Sequence, residues 1–175
     1  MTAYLLAFIA LSAGVTTNTE SSILTRLFQL DLGFKQTLIL LDTLGDESSQ
    51  VTAADIITLY NITTFQGPNN PLQQFYVPCI ESTQYVLCQA YHTVAMTSLS
   101  LYSELVDDAY DFNKDQRNVF QDGFTNIFNE NLEFVAKVAP YGLPLCFEGI
   151  QLDDSAVEKA FLKAFEALDP LAVAK

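Results

Sequence analysis

Residues 79–110 have the sequence CIESTQYVLCQAYHTVAMTSLSLYSELVDDAY, and this stretch decides the fold. It contains neither glycine nor proline, the two residues that most often interrupt a helix. Apolar residues recur in it every seven positions, at Ile80, Leu87, Val94 and Leu101. The pattern predicts one long helix that begins or is kinked at Pro78.

The segments on either side of this stretch carry helical patterns of their own. Apolar side chains three or four residues apart form a stripe on residues 20–44, at Ile23, Leu27, Leu30, Phe34, Leu38, Leu41 and Leu44. Thr52 and Asp55 match a capping box, which predicts that a helix of about three turns begins there. A polar turn around Asn113 separates the long helix from a further helix that extends to about Val138.

The last predicted helix begins at a second capping pattern, Ser155-Ala-Val-Glu158, and carries Val157, Phe161 and Leu168. No segment shows the alternating pattern of a β-strand, and no internal repeat is present. The sequence therefore predicts an all-α, single-domain bundle of about five helices over residues 15–175, with one long central helix.

The composition excludes several classes of function. The chain has 175 residues, of which 50% are apolar and 17% charged, so an intrinsically disordered protein is excluded. Its formal net charge of −13 argues against nucleic acid and anionic membrane surfaces as partners. The single histidine, His92, excludes a metal site with two histidines from one chain.

The N-terminus predicts secretion. The apolar run from Tyr4 to Leu11 is too short to span a bilayer but has the length of a signal-peptide core. Ser12 and Gly14 stand at the −3 and −1 positions of a cleavage site, so residues 1–14 are predicted to be a signal peptide, and no transmembrane segment remains after its cleavage. The alternative is a buried first helix. An N-glycosylation sequon at Asn61 agrees with an extracellular protein.

The three cysteines allow one disulfide and one remaining thiol. Cys79 and Cys88 would lie about 13 Å apart on one continuous helix, too far to pair, so Cys146 pairs with one of them. Cys79 and Cys146 are almost equidistant from the turn at Asn113, which favours Cys79–Cys146 across two antiparallel helices. Cys88 would then be a buried thiol or would link a homodimer, and Cys88–Cys146 remains the alternative.

One loop carries oxygen ligands at the spacing of a cation site. Asp111, Asn113, Asp115 and Asp122 occupy positions 1, 3, 5 and 12 of a segment that resembles an EF-hand calcium loop. Gln116 stands where that loop needs glycine, and Asp122 is shorter than the usual glutamate. The resemblance implies at most low-affinity calcium binding, and the alternative is an acidic, solvated turn.

The sequence gives no specific support for an enzyme. His92 is the only candidate histidine base, and it lies mid-helix outside any catalytic motif. The carboxylate pairs Asp107-Asp108 and Asp153-Asp154 could serve acid–base hydrolysis only at a suitable separation, and the second pair is predicted to precede a helix start. We expect a protein that is not an enzyme and that requires no cofactor.

The aromatic residues suggest a ligand. The rings that could line a cavity between helices are Tyr85, Tyr91, Tyr102, Phe120, Phe124 and Phe128. No Lys or Arg occurs between Lys35 and Lys114, so a ligand there should be neutral or held by few charges. The first hypothesis is binding of a hydrophobic small molecule or lipid between the helices. The alternative is an extracellular interaction or structural protein with a solid core.

Overall fold

The computed structural model describes residues 18–44, 51–63 and 78–169, and these ranges contain six α-helices, one short 3₁₀ helix and no strand. The helices are α1 (Asn18–Leu44), α2 (Ala53–Thr63), α3 (Glu81–Asp107), α4 (Lys114–Lys137), α5 (Ala139–Gly142) and α6 (Phe147–Ala167), and the 3₁₀ helix is Asp108–Tyr110. The predicted all-α bundle with one long central helix is confirmed. The predicted signal peptide lies outside the described residues.

Helices α1, α3 and α6 form a row and run in the same direction. Three pairs of neighbouring residues establish this for α1 and α3, because the residue numbers rise in both helices from one pair to the next. The pairs are Glu20 with Cys79, Asp31 with Thr97, and Asp42 with Glu104. The residue numbers also rise together along α3 and α6, where Cys88 pairs with Cys146, His92 with Asp153, and Tyr102 with Phe161. The central helix α3 is therefore flanked by two parallel neighbours.

Helices α2 and α4 cover one side of this row. The α4 helix runs antiparallel to α3 after a tight turn, so that Phe120 lies beside Phe112 and Phe124 beside Tyr102. The hydrophobic core lies between this row and the two covering helices, and α1, α2, α3, α4 and α6 all contribute side chains to it. These side chains include Leu27, Leu30, Phe34, Ile56, Leu87, Leu101, Leu105, Phe120, Phe124, Val157 and Phe161. Burial of these apolar surfaces is the main force that holds the bundle together.

Of the two helix starts predicted from capping patterns, one is confirmed and the other is wrong. The capping box at the start of α2 is confirmed, because the Asp55 amide donates to Thr52 Oγ1 and the Thr52 amide donates to Asp55 Oδ2. The predicted start at Ser155 is wrong, because α6 already begins at Phe147 and contains Ser155 in its interior. Contacts of the preceding turn with α3 fix the earlier start, since the Leu145 amide donates to Gln84 Oε1.

The predicted Cys79–Cys146 disulfide is also wrong. Cys146 pairs with Cys88, and their Cα atoms are 6.2 Å apart. The Cys79 amide does donate to the Gly142 carbonyl, but the chain then turns and continues along α3, which brings Cys146 to Cys88. Cys79 is a buried free thiol, and Cys88 has no thiol left for the predicted covalent homodimer.

Candidate functional site

The predicted aromatic cavity is filled by its own rings. Tyr102, Phe120, Phe124 and Phe128 are buried and packed together around Phe161, whose ring stacks on Phe128 with 4.2 Å between centroids. The remaining space beside this cluster is about 10 Å³, roughly the room that one water molecule needs. Four of the six predicted residues therefore form part of a packed core.

The other two predicted aromatic residues lie elsewhere. Tyr91 is buried at the interface of α3 and α6, where its hydroxyl contacts Asp154. Tyr85 is 61% exposed on α3. The sequence grouped these rings by helical spacing alone, and the structure divides them between core, interface and surface.

A larger cavity, which is half open to solvent, lies at the end of the bundle where α1 and α3 terminate. Its volume is about 470 Å³, and it is lined by Leu41, Asp42, Leu44, Glu104, Asp108, Asp111, Phe112 and Gln116. The lining combines apolar side chains with four carboxyl groups. Because α1 and α3 are parallel, residues more than 60 positions apart in the chain meet at this end.

The turn from α3 into α4 forms one wall of this cavity. The 3₁₀ helix continues α3 through Asp108, and the Asp111 amide donates to the Asp108 carbonyl. Asn113 then begins α4, because its Oδ1 accepts hydrogen bonds from the amides of Asp115 and Gln116. The Gln116 side chain in turn accepts a hydrogen bond from the Asn113 amide, which completes a capping box.

The carboxyl groups of the cavity repel one another. The pKa of Glu104 is raised above its ordinary value by partial burial, and further by Asp108, Asp42 and Asp107. The pKa of Asp108 is raised by burial, and then by Asp111, Asp42 and Asp107. In the part of the chain that the structure describes, none of the four lining carboxylates forms an ion pair with a Lys, Arg or His.

Two helix termini add to this negative potential. The carboxyl ends of α1 and of α3 both lie at the cavity, and neither has a basic residue in its last turn. The C-terminus of a helix carries partial negative charge, which adds to that of the acidic side chains. The N-terminus of α4, whose first turn contributes Gln116 to the lining, carries partial positive charge and offsets part of this effect, but the four carboxyl groups outweigh it. The site therefore favours a positively charged group.

The predicted calcium loop does not form. Asp111 lines the acidic cavity, Asn113 is occupied in capping α4, and Asp122 lies two turns further along that helix. A continuous helix from Lys114 onward prevents the loop from wrapping its oxygens around one ion. Among the described residues, no group of three or more His, Cys, Asp or Glu side chains is arranged to hold a metal ion.

The only histidine takes part in a clamp between α3 and α6. His92 Nδ1 lies 2.8 Å from Asp153 Oδ2, and the adjacent Tyr91 hydroxyl contacts Asp154. The prediction that Asp153 and Asp154 precede a helix start is wrong, because both lie inside α6. These contacts are partly exposed and do not line the acidic cavity, so they serve to join the two helices.

The known proteins give no guide to this site. No protein-family model, no curated protein and no solved structure matches the chain. Within the described ranges, no helix is both long and apolar enough to cross a membrane.

Only part of the cavity can be predicted from motifs. The sequence marks Asp108 in a carboxylate pair and Asp111 in the calcium-loop resemblance. Asp42 and Glu104 belong to no motif, and they lie close together because α1 and α3 are parallel. One sequence signal did point to them, because the stretch between Lys35 and Lys114 has no basic residue and ends at the cavity. That stretch supplies the carboxyl ends of both helices without any positive charge to balance them.

Proposed function

We propose that this protein is a secreted, non-enzymatic helical-bundle protein that binds a small, partly apolar molecule in the cavity at the carboxyl ends of α1 and α3. The observation that carries the proposal is the cavity of about 470 Å³ with Leu41, Leu44 and Phe112 on its walls. This volume lies within the range of about 300–1,000 Å³ that is usual for small-molecule sites. The walls are more polar than in most such sites, because five of the eight lining residues are polar.

The proposal changes the location of the ligand from the one that the sequence suggested. The gap beside Tyr102 and Phe124 is too small for any organic molecule, so a ligand there would have to displace core side chains. The end cavity needs no such rearrangement. It lies between helices, as the first sequence hypothesis required.

Secretion is supported by two features. The apolar run from Tyr4 to Leu11 has the form of a signal peptide. The Cys88–Cys146 disulfide suits an oxidising compartment, where such bonds persist. In that compartment the chain would meet the glycosylation machinery, for which Asn61, in the last turn of α2, is the sequon residue.

A second candidate function is that of an interaction protein with a solid core. It is favoured by apolar side chains on the outer surface of α1, where Leu32 is 56% and Ile39 is 63% exposed. These residues are seven positions apart and so lie on one face of the helix. Such a protein would act through this surface and would need no ligand.

A cavity-filling variant separates the two candidates. Leu44→Trp places a large ring in the lining of the cavity, and Leu162→Trp is its control on the outside of α6, where Leu162 is 50% exposed. Binding of the neutral dye Nile red to the full chain is measured by fluorescence titration. Saturable binding that is lost in Leu44→Trp and kept in Leu162→Trp supports the ligand site. Equal binding in both variants, or no saturable binding, overturns it, and the second result favours the interaction protein.

A further inference from the structure

We propose that the molecule bound in the end cavity is an organic cation, an amine with an apolar body. This inference rests on the proposed function, and it names the chemical class of the ligand. The cavity has two kinds of wall, and an amphiphilic amine matches both. Its ammonium group would face the carboxylates, and its apolar part would lie against Leu41, Leu44 and Phe112.

The lining of the cavity contains no basic side chain. Asp42 comes from α1, Glu104 from α3, Asp108 from the 3₁₀ helix and Asp111 from the following turn, and all four line one space. Within the described ranges no ion pair joins any of them to a basic side chain. A bound ammonium would relieve their mutual repulsion, and an anionic ligand would increase it.

The basic residues nearest in the sequence do not form ion pairs with these carboxylates in the structure. Arg117 is only 4% exposed, and its Nε donates to the carbonyl oxygen of Phe112. Neither Arg117 nor Lys114 lines the cavity, and neither is among the largest influences on the pKa of Glu104 or Asp108. The four carboxylates therefore have no basic side chain beside them in the lining of the cavity.

The cavity suits an organic cation better than a metal ion. Calcium requires six to eight oxygen ligands at about 2.3–2.6 Å, in a tight shell. The described residues contain no group of side chains with a metal-binding arrangement, and the cavity is far larger than one ion. Its size and its apolar walls instead suit a molecule with a carbon skeleton. Phe112 also offers an aromatic ring, which attracts ammonium groups.

Ligand binding should depend on pH. The groups that face Glu104 and Asp108 are Asp42 from α1, Asp107 from α3, and Asp111 from the turn, and α4 contributes the neutral Gln116. All of the titratable groups among these are carboxyls, so acidification only removes negative charge. An ammonium ligand should therefore bind more tightly at pH 7 than at pH 4, where an ordinary carboxyl is about half protonated.

The experiment compares two probes that differ in charge. Binding of 4-phenylbutylammonium and of the neutral 4-phenylbutanol to the full chain is measured by calorimetry at pH 7 and pH 4. We expect the amine to bind about tenfold more tightly than the alcohol at pH 7, the effect of one favourable charge interaction. The preference should become smaller at pH 4, because the amine stays charged while the carboxylates are partly neutralised.

A matched pair of variants tests the site itself. Glu104→Gln removes one carboxylate from the cavity, and Glu148→Gln removes one from the exposed first turn of α6. Both variants change the net charge equally. Glu104→Gln should weaken binding of the amine several-fold and leave the alcohol unchanged, and Glu148→Gln should affect neither.

The outcomes separate the two proposals. Equal affinity for amine and alcohol at pH 7 would overturn the cationic ligand and leave the ligand-binding function standing. Equal weakening by Glu104→Gln and Glu148→Gln would also overturn it, because the attraction would then come from the net charge alone. Calcium binding that excludes the amine would overturn it in favour of a metal site. Failure of both probes to bind saturably would overturn the proposed function.

Discussion

Gly123 of α4 lies directly against the side chain of Ile57 in α2, and a Cβ atom added at Gly123 would lie 2.6 Å from Ile57 Cδ1. The contact fixes how closely the two helices approach. Gly123→Ala should therefore destabilise the fold, by about 1–3 kcal/mol, because overpacking forces a shift of the side chain or of the helix. Equilibrium unfolding in urea measures this loss.

A second glycine provides the control for this prediction. Gly149 is exposed in α6, and a Cβ atom there would meet nothing within 4 Å. Gly149→Ala should stabilise the protein by about 0.5–1 kcal/mol, because alanine loses less backbone entropy in a helix. Combining Gly123→Ala with Ile57→Ala should cost less than the sum of the two single losses. If the two losses in stability simply add, the Ile57 side chain is not what the new Cβ atom at position 123 clashes with.

The Cys88–Cys146 disulfide should make a large contribution to stability. It joins α3 to the start of α6 and closes a loop with a sequence separation of 58. A loop of this length predicts a loss of about 4 kcal/mol on reduction, mainly through the greater freedom of the unfolded chain. Cys88→Ser should show the same loss in urea unfolding as reduction of the native protein does.

The pairing itself can be tested by peptide mapping. Trypsin leaves Cys79 and Cys88 in one peptide, because no basic residue separates them. A protease that cleaves after glutamate separates them, because it cuts after Glu81. The unreduced digest should link Cys88 to Cys146 and leave Cys79 free. Burial and Glu20 raise the pKa of the Cys79 thiol to about 12, so a thiol reagent should label it only after unfolding. A Cys79–Cys146 peptide would contradict the structure.

The sequence predicted the helices well, because their signals are local. The stripe from Ile23 to Leu44 and the capping box at Thr52 depend only on neighbouring residues. The start of α6 could not be predicted in this way. It depends on Leu145 reaching Gln84 across the bundle, and the capping pattern at Ser155 has no effect inside an established helix.

The candidate site shows the limit of local signals more clearly. Mirror symmetry about Asn113 places Cys79 opposite residue 147, whereas the Cys79 amide donates to the carbonyl oxygen of Gly142, five positions earlier in the chain. The same symmetry failed for Cys146, because the chain turns in between and follows α3. The cavity likewise depends on α1 and α3 being parallel, so that Asp42 faces Glu104, and no pattern in the sequence specifies that direction.

The aromatic cluster should behave as a packed core. Phe124 is 2% exposed and contacts the ring of Tyr102 edge-on, with centroids 6.3 Å apart. Phe124→Ala should cost about 3–5 kcal/mol in urea unfolding, because it leaves a cavity in a close-packed interior. Tyr85→Ala, at an exposed position on α3, should change stability by no more than about 0.5 kcal/mol.

The same variant also tests whether this cluster binds a ligand. Because Phe124 does not line the end cavity, Phe124→Ala should leave the affinity for 4-phenylbutylammonium unchanged at temperatures where the variant is folded. A small stability loss together with lost binding would return the ligand site to the aromatic cluster.

The contact between Tyr91 and Asp154 should make stability depend on pH. Burial and then Glu158 raise the pKa of Asp154, and the hydrogen bond from Tyr91 lowers it in part. Tyr91→Phe removes that donor, so the pKa of Asp154 should rise further. A carboxyl whose pKa is raised on folding destabilises the folded state above that pKa, and the destabilisation disappears below the pKa of the unfolded chain.

The loss from Tyr91→Phe should therefore be largest at neutral pH. We expect about 1–2 kcal/mol at pH 7, the cost of leaving a partly buried charged acceptor without its donor. The loss should shrink as the pH falls through the pKa of Asp154 and that carboxyl gains a proton. Urea unfolding at pH 7 and at the lowest pH where both proteins stay folded measures it, with Tyr110→Phe at a 79% exposed position as control. A loss that is equal at both pH values would mean that Tyr91 stabilises the interface through packing and not through Asp154.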